Sequence, residues 1–321
     1  MANLKELSKT IPERLSGGHR LCAGCGASII VRQVLMGTKD PVVVAAATGC
    51  LEVATTIYPY TAWEVPFIHS AFENVAATIS GVETAYRSLK KQGKVTKEIK
   101  FIAFGGDGGT YDIGLQSLSG ALERGHKFVY VCYDNGAYMN TGVQRSGSTP
   151  RGASTTTAPY GEKSYGKSQR RKDLTAIVAA HRIPYVAQCS ISHWNDLITK
   201  SEKAFQADGP AFLNIMAVCH RGWGIPQQDA VDISKLAVDS CFWPLYEIVN
   251  GKLKINYKPK NKLPVMEWAK RQARFNHLAK EEYASLVAEF QADIDADWGR
   301  LLKREALDQS GTVELPKEKA E

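Results

Sequence analysis

The stretch from Gly105 to Gly142, GGDGGTYDIGLQSLSGALERGHKFVYVCYDNGAYMNTG, constrains the fold more than any other part of the chain. An apolar run, Ile102-Ala103-Phe104, ends in a glycine-rich turn that carries an acid, Gly106-Asp107-Gly108. The spacing predicts a helix over roughly Asp112 to Glu123. A second apolar run, Phe128 to Tyr133, then stops at Asp134-Asn135. Strand, glycine loop, helix, strand and polar turn make a βαβ unit, whose crossover is almost always right-handed. In open α/β sheets, ligands bind outside the carboxyl ends of the strands. Asp107 and Asn135 are therefore expected at two such ends, on neighbouring strands.

Glycines let backbone N–H groups approach phosphate oxygens, and a helix N-terminus favours negative charge. A diphosphate held this way usually arrives with Mg²⁺, which takes octahedral oxygen ligands. The Asp107 carboxylate, the Asn135 amide oxygen and a backbone carbonyl just beyond form a suitable set. The competing reading of the same residues is a βαβ turn with no ligand.

Met1 to Glu13 has no apolar core of secretory length, and no apolar stretch is long enough to cross a membrane. A cytoplasmic chain away from membranes is expected. Its 7 cysteines then point to ligation or to inert core thiols rather than to disulfides. Cys22-Ala23-Gly24-Cys25 lies between glycines, and zinc, a redox dithiol and an iron–sulfur cluster all use such a loop. The apolar run Pro41 to Ala47 ends in Thr48-Gly49-Cys50, and the run Ala211 to Val218 ends in Cys219-His220-Arg221-Gly222-Trp223. Cys22, Cys25, Cys50 and Cys219 thus each sit in a turn or at a strand end close to glycine. They meet the four-thiolate requirement of a [4Fe–4S] cluster, and a four-cysteine zinc site fits the same spacing. Cys132, Cys189 and Cys241 lie in apolar or mixed segments and are expected to be inert.

Gly106-Asp107-Gly108 followed by Asn135 resembles the thiamine diphosphate–Mg²⁺ motif. The continuation DNGAYMNTGVQRSGSTP, with GHRLCAGCG, ATGCLE, YPYTAW and WPLYE, resembles the β subunit of pyruvate:ferredoxin oxidoreductases. The resemblance runs from Gly18 to about Glu247. It implies a thiamine diphosphate-binding fold with Mg²⁺ on Asp107, Asn135 and the Ala137 carbonyl. It places Asn140 beside the thiazolium ring and substrate, and Thr48 and Glu52 in the cofactor region. It also resolves the four cysteines, Cys22, Cys25, Cys50 and Cys219, as [4Fe–4S] ligands. The implied reaction is reversible CoA-dependent oxidative decarboxylation of a 2-oxoacid, pyruvate foremost, with ferredoxin as electron acceptor. Branched-chain 2-oxoacids, 2-oxoglutarate and oxalate are the alternative substrates, and a non-redox thiamine diphosphate decarboxylase is the alternative reaction. The implied partners are α, γ and δ subunits, one of which supplies the glutamate that activates the cofactor. Two positions depart from the family pattern, Ala27 and Gly136, each where many members carry Glu. Both bear on substrate preference.

The alternation of apolar runs and helical segments implies a mostly parallel sheet with helices on both faces. Residues 1–230 are expected to form this α/β domain and residues 231–321 an extension packing on the core or on a partner. Helices are expected over Ala27–Met36, His69–Leu89, Leu174–His181, Ser192–Ala207 and Val265–Arg304. Glu52 to Trp63 reads as an aromatic loop, with His69 as a helix cap or a catalytic group. The tail Asp308–Glu321 reads as frayed. Gly142 to Tyr165 reads as a covering or interface loop. The formal charge of +7 is no argument for nucleic acid. The basic run Lys167 to Lys172, KSQRRK, reads as a solvated loop or a contact patch for an acidic partner.

Overall fold

The computed structural model describes residues 4–310. In chain order come α1 (Leu4–Thr10), α2 (Gly26–Leu35), β1 (Val42–Ala47), α3 (Cys50–Thr55), β2 (Phe67–Ser70), α4 (Val75–Lys91) and β3 (Lys100–Gly106). A π-helical turn, Gly108–Asp112, leads into α5 (Leu115–Glu123) and β4 (Val129–Asp134). The two-residue strands β5 (Tyr160–Gly161) and β6 (Ser164–Tyr165) pair in the loop that follows. Then come α6 (Leu174–Ala179), β7 (Tyr185–Ser190), α7 (Trp194–Gln206), β8 (Ala211–Met216) and α8 (His220–Trp223). The chain closes with α9 (Ala230–Asp239), β9 (Leu245–Val249), β10 (Lys252–Tyr257), α10 (Val265–Ala269) and α11 (Ala284–Ser310).

Eight strands form one sheet in the order β10-β9-β7-β8-β4-β3-β1-β2. The run from β2 to β7 is parallel throughout, and β9 and β10 add antiparallel pairs at one edge. The strands of a sheet covered on both faces read as continuous apolar runs, as these do. In β3, Ile102 and Phe104 face a layer built on α2 and α7. Phe101 and Ala103 face the opposite layer, built on α4, α5 and α6. Ile30, Val31, Val34 and Leu35 of α2 are fully buried, and each such side chain contributes about 1.5–3 kcal/mol by leaving water. A third apolar cluster joins Trp223, Trp243, Trp268, Phe275 and Phe290 under α9, α10 and α11.

Four expectations are corrected. His69 belongs to edge strand β2, which pairs parallel with β1 through Ala46↔His69, and the helix begins only at Val75. The start of the aromatic loop is helical, because α3 continues from Cys50 to Thr55. The C-terminal helix is interrupted: after α10, two 3₁₀ turns span Ala273–Ala279 and Glu281–Tyr283 before α11 starts. The interruption lets Arg274, Phe275 and His277 turn inward. Asp308 to Ser310 complete α11, while 311–321 lie outside the described residues. No described helix is long and apolar enough to cross a membrane.

Candidate functional site

Four adjacent strands, in sheet order β8-β4-β3-β1, deliver the chemistry-bearing residues to one carboxyl edge. Thr48-Gly49-Cys50 follows β1, Asp107 follows β3, Asn135 follows β4, and Cys219 lies just beyond β8. Between them lies a cleft of about 250 Å³, walled by Thr48, Asp107, Tyr133, Asn135, Ala137 and Asn140. Asn140 is exposed on its rim. Gly108 forms its floor because Tyr138 crosses so closely that a Cβ there would lie 2.4 Å from the ring. In the turn that follows Asn140, Val143 holds φ 66°, a conformation costly for a β-branched residue and typical of functional turns. Backbone bonds from Tyr138 N–H to the Gln144 carbonyl, 2.8 Å, and from Val143 N–H to the Tyr138 carbonyl, 2.9 Å, hold that turn.

The Asp107 and Asn135 turns meet in a knot of oxygens. Asp107 Oδ1 accepts the Asn135 backbone N–H at 3.2 Å, and its Oδ2 accepts the Ser146 hydroxyl at 2.5 Å. With its oxygen inward, the Asn135 amide stands 2.9 Å from Asp107 Oδ1 and 2.8 Å from the Ala137 carbonyl oxygen. Three acceptors then face one another with no proton among them. Turning the amide converts the two contacts into hydrogen bonds. With Mg–O bonds of about 2.0–2.1 Å, the edge of an Mg²⁺ octahedron is about 2.8–3.0 Å. The spacing of the inward amide oxygen to its two neighbours matches that edge. The first N–H groups of a helical turn have no intrahelical partner, and those of the Gly108 turn open beside this knot. The residues present fit a diphosphate with its divalent ion.

Burial pushes the Asp107 carboxyl well above the usual carboxylate range, and the charge of Asp134 pushes it further, against the hydrogen bonds from Ser146 and Asn135. Asp134, buried behind it, accepts from Tyr111 Oη at 2.5 Å, Arg171 Nη2 at 3.0 Å, Gly136 N–H at 3.0 Å and the Ser148 hydroxyl. Arg171 stacks over Trp243 at 4.4 Å. Burial disfavours its charge, but Tyr111 and Asp134 outweigh burial and hold the guanidinium above its ordinary value.

The basic run Lys167 to Lys172 is divided: Lys167 and Arg171 turn inward, while Ser168, Gln169, Arg170 and Lys172 stay exposed. Lys167 is 1 % exposed and donates to the carbonyls of Ser146 (3.1 Å), Gly147 (3.3 Å) and Thr149 (2.7 Å). Burial lowers its pKa to about 8. Arg170 pairs with Asp293 and Asp297, and Lys172 with Asp112. The run clamps the loop after Gly142 so that Ser146 and Ser148 reach the two buried acids. Ser146, Ser148, Lys167, Arg171 and Tyr111 escaped the sequence reading. The polar loop directly after the Asn135 turn was their only signal.

The cysteines come together around the same edge. The Gly26 backbone N–H donates to the Val218 carbonyl at 3.1 Å, and a Cβ on Gly26 would lie 2.7 Å from Val218 N. That close approach sets the Cys22–Cys25 loop beside Cys219. Cys219 Sγ accepts the Gly222 N–H at 3.3 Å. Burial raises the Cys50 thiol to about 12, and negative charge on Cys219, Cys25 and Cys22 pushes the same way. Burial likewise raises Cys25 and Cys219. Among the described residues, no three His, Cys, Asp or Glu side chains close on a single metal ion. Cys132, Cys189 and Cys241 are buried apart from the other four.

Glu52 does not reach the cleft wall. It is buried along α3, where it accepts the Thr56 hydroxyl at 2.9 Å and lies 3.5 Å from His69 Nε2. His69 Nε2 in turn lies 2.8 Å from Thr48 Oγ1. A larger cavity, about 530 Å³, lies under α11 on Phe242, Tyr246 and Ile294. None of the expected site residues lines it, and three of its seven lining cations, Arg170, Arg171 and Arg304, each face an aspartate.

A family model described as "Thiamine pyrophosphate enzyme, C-terminal TPP binding domain" matches residues 47–215. The pyruvate synthase subunit PorB of Thermotoga maritima is 54% identical over 315 residues, covering 95% of this chain and 97% of that protein. The subunit of the same name from Methanocaldococcus jannaschii is 52% identical over 272 residues, covering 84% and 91%. Among solved structures, the 2-oxoglutarate:ferredoxin oxidoreductase from Magnetococcus marinus superposes with a TM-score of 0.53 at 19% identity, over 69% of this chain and 79% of its own. At that identity the likeness speaks for the fold.

Proposed function

This chain belongs to the family of pyruvate synthase PorB subunits, among the 2-oxoacid:ferredoxin oxidoreductases, and on that premise we propose that it is the subunit that holds thiamine diphosphate, Mg²⁺ and a [4Fe–4S] cluster for CoA-dependent oxidative decarboxylation of pyruvate. The observation that carries the reading is the convergence of the Asp107 carboxylate, the Asn135 side-chain amide and the Ala137 carbonyl, the amide's end lying 2.9 Å and 2.8 Å from the oxygens of the other two. Asp107, Asn135 and the Ala137 carbonyl hold the ion. The backbone of Gly106 and Gly108 cradles the phosphates. Asn140 and Thr48 face the reacting end, with Glu52 acting on Thr48 only through His69. When bound, thiamine diphosphate supplies the carbanion chemistry.

Cys22, Cys25, Cys50 and Cys219 hold the cluster. Cys50 lines the cofactor cleft, and the Gly26–Val218 contact brings the Cys22–Cys25 loop to the strand end that carries Cys219, which supports this ligand set. A cluster that takes electrons singly suits a reaction that ends on ferredoxin. Its place beside the cofactor cleft keeps that transfer short.

The cleft is half a site. At about 250 Å³ it falls below the roughly 300–1,000 Å³ of complete small-molecule sites. Asp107 is the one carboxylate on its wall among the described residues. On this reading a partner subunit supplies the acid for the far end of the cofactor, α, γ and δ subunits complete the enzyme, and ferredoxin takes the electrons. The test is anaerobic co-expression with the neighbouring subunits and a CoA-dependent viologen reduction assay over a panel of 2-oxoacids. Reduction with pyruvate is expected. Reduction with a different acid alone would move the substrate and keep the chemistry. No reduction with any acid, with cofactor and cluster bound, would overturn the redox reading.

A further inference from the structure

Arg274 is 6 % exposed, yet no carboxylate lies within ion-pair distance of it among the described residues. Its hydrogen bond runs from Nε to Gln272 Oε1 at 2.9 Å. The other buried cations are matched. Arg171 holds Asp134, Lys200 holds Asp196, Lys167 holds three carbonyls and Arg14 holds two. Leaving a buried charge without an anion costs several kcal/mol, so the placement of Arg274 points to an anion outside the protein's own side chains.

Its surroundings say which one. The guanidinium stacks on Trp223 at 4.0 Å, with Phe275 at 5.2 Å and Trp268 at 5.8 Å. Trp223 lies on the turn that Cys219 opens, its backbone N–H donating to the Cys219 carbonyl at 2.9 Å. Arg274 Nη1 also stands 3.1 Å from where a side chain on Gly136 would begin, one residue past Asn135. The cation is therefore wedged between the cysteine turn and the Asn135 turn. Burial lowers its pKa to about 9, and the negative charges that oppose this are those of Cys219, then Asp134 and Asp107. Asp134 already holds Arg171, and Asp107 faces the divalent ion. Cys219 remains.

We propose that Arg274 is the counter-charge of the cluster held by Cys219 and its three companions, and that it sets the potential at which this chain accepts an electron. The inference rests on the cluster assignment above. Each electron taken from the donor adds one negative charge to the cluster, and a fixed cation in a dry site favours that reduced form. Removing the cation lowers the midpoint potential. Arg274 acts on the cluster through space and is a positioning and tuning residue, without a ligand role.

The test uses the whole complex and an EPR-monitored reductive titration with dithionite. The signal that disappears in Cys22→Ser is this chain's cluster. Arg274→Gln removes the charge. Gln272→Glu keeps the guanidinium and its packing and neutralises it in place through the Nε contact. Both are expected to lower the midpoint by at least a tenfold change in the reduction equilibrium, about 59 mV for one electron. Arg274→Lys keeps the charge and is expected to retain at least half of the wild-type advantage. A purely structural role would change melting temperature without ordering the potentials by charge. Should Arg274→Gln assemble no cluster, Gln272→Glu decides. Wild-type potential in both neutralised variants overturns the proposal. A wild-type complex with no iron and no signal would instead overturn the cluster assignment, and the counter-charge with it.

Discussion

The indole N–H of Trp223 donates to the backbone carbonyl of Asn135 at 2.6 Å. This one bond ties the turn that Cys219 opens to the turn that carries the amide and the Ala137 carbonyl. The two centres are therefore fixed relative to each other by a rigid side chain, buried to 2 % exposure. Trp223→Phe keeps most of the packing and removes the donor. Leaving a carbonyl unpaired in such a place costs about 1–3 kcal/mol. We expect Mg²⁺-dependent thiamine diphosphate affinity of the complex to fall about tenfold, the equivalent of 1.4 kcal/mol. Calorimetric titration reads it directly. Unchanged affinity would mean that the two turns are held independently.

Ser146 acts on Asp107 in the same way from the opposite side, because its hydroxyl donates to Oδ2 while Oδ1 stays free for the Asn135 group. Without that bond the carboxylate rotates more freely, and burial still favours its neutral form. Ser146→Ala should weaken Mn²⁺ binding, used as a paramagnetic stand-in for Mg²⁺, by about tenfold, since a hydrogen bond to a charged group is worth about 1.5–3 kcal/mol. Asp107→Asn should abolish it. An EPR titration of free Mn²⁺ separates the two, and equal binding in Ser146→Ala and the parent would remove Ser146 from the ion site.

Asp107 and Asn135 were legible because glycine punctuation and apolar runs place them at strand ends, and the parallel sheet puts those ends side by side. The central parallel strands β1, β3, β4 and β8 were legible for the same reason: both their faces are covered, so they read as apolar runs. Edge strand β2 was not, because Phe67-Ile68-His69-Ser70 is too short to show a period and is decided by pairing with β1. The inward turn at Arg274 was invisible in a sequence whose charged and apolar residues mix at helical spacing. It exists because Trp223 and Trp268, distant in sequence, form the pocket. Lys167 and Arg171 were misread for a related reason. A run of basic residues carries no mark of which of them meet buried carbonyls and acids.

Arg171 offers a large stability effect. It bridges Tyr111 Oη at 2.7 Å and Asp134 Oδ2 at 3.0 Å, and Asn214 Nδ2 donates to the same phenol at 3.0 Å. Removing one partner of a buried pair strands the other, at a cost of about 3–5 kcal/mol. Arg171→Leu should therefore lower the urea midpoint steeply. Arg171→Lys should recover only part of the loss, because a lysine cannot both fork to Tyr111 and Asp134 and lie flat on Trp243. Full rescue by lysine would show that the charge alone matters at this position.

Acid sensitivity near neutrality follows from the C-terminal segment. His277 is buried, with Nε2 3.0 Å from the Tyr165 carbonyl and its ring stacked on Tyr160 at 4.6 Å. Burial lowers its pKa below the ordinary 6.5, against carbonyls of Tyr165 and Gly152 that raise it, with Lys280 adding to the lowering. His193 is lowered by burial as well. A group whose folded pKa is depressed binds its proton first in the unfolded chain. Its contribution is present above the unfolded value of about 6.5 and is lost as pH falls through the lower folded value. The thermal midpoint of the complex should therefore drop between pH 7 and pH 5. His277→Asn should make that slope shallower without flattening it, because His193 still titrates. An unchanged slope in His277→Asn would assign the acid sensitivity elsewhere.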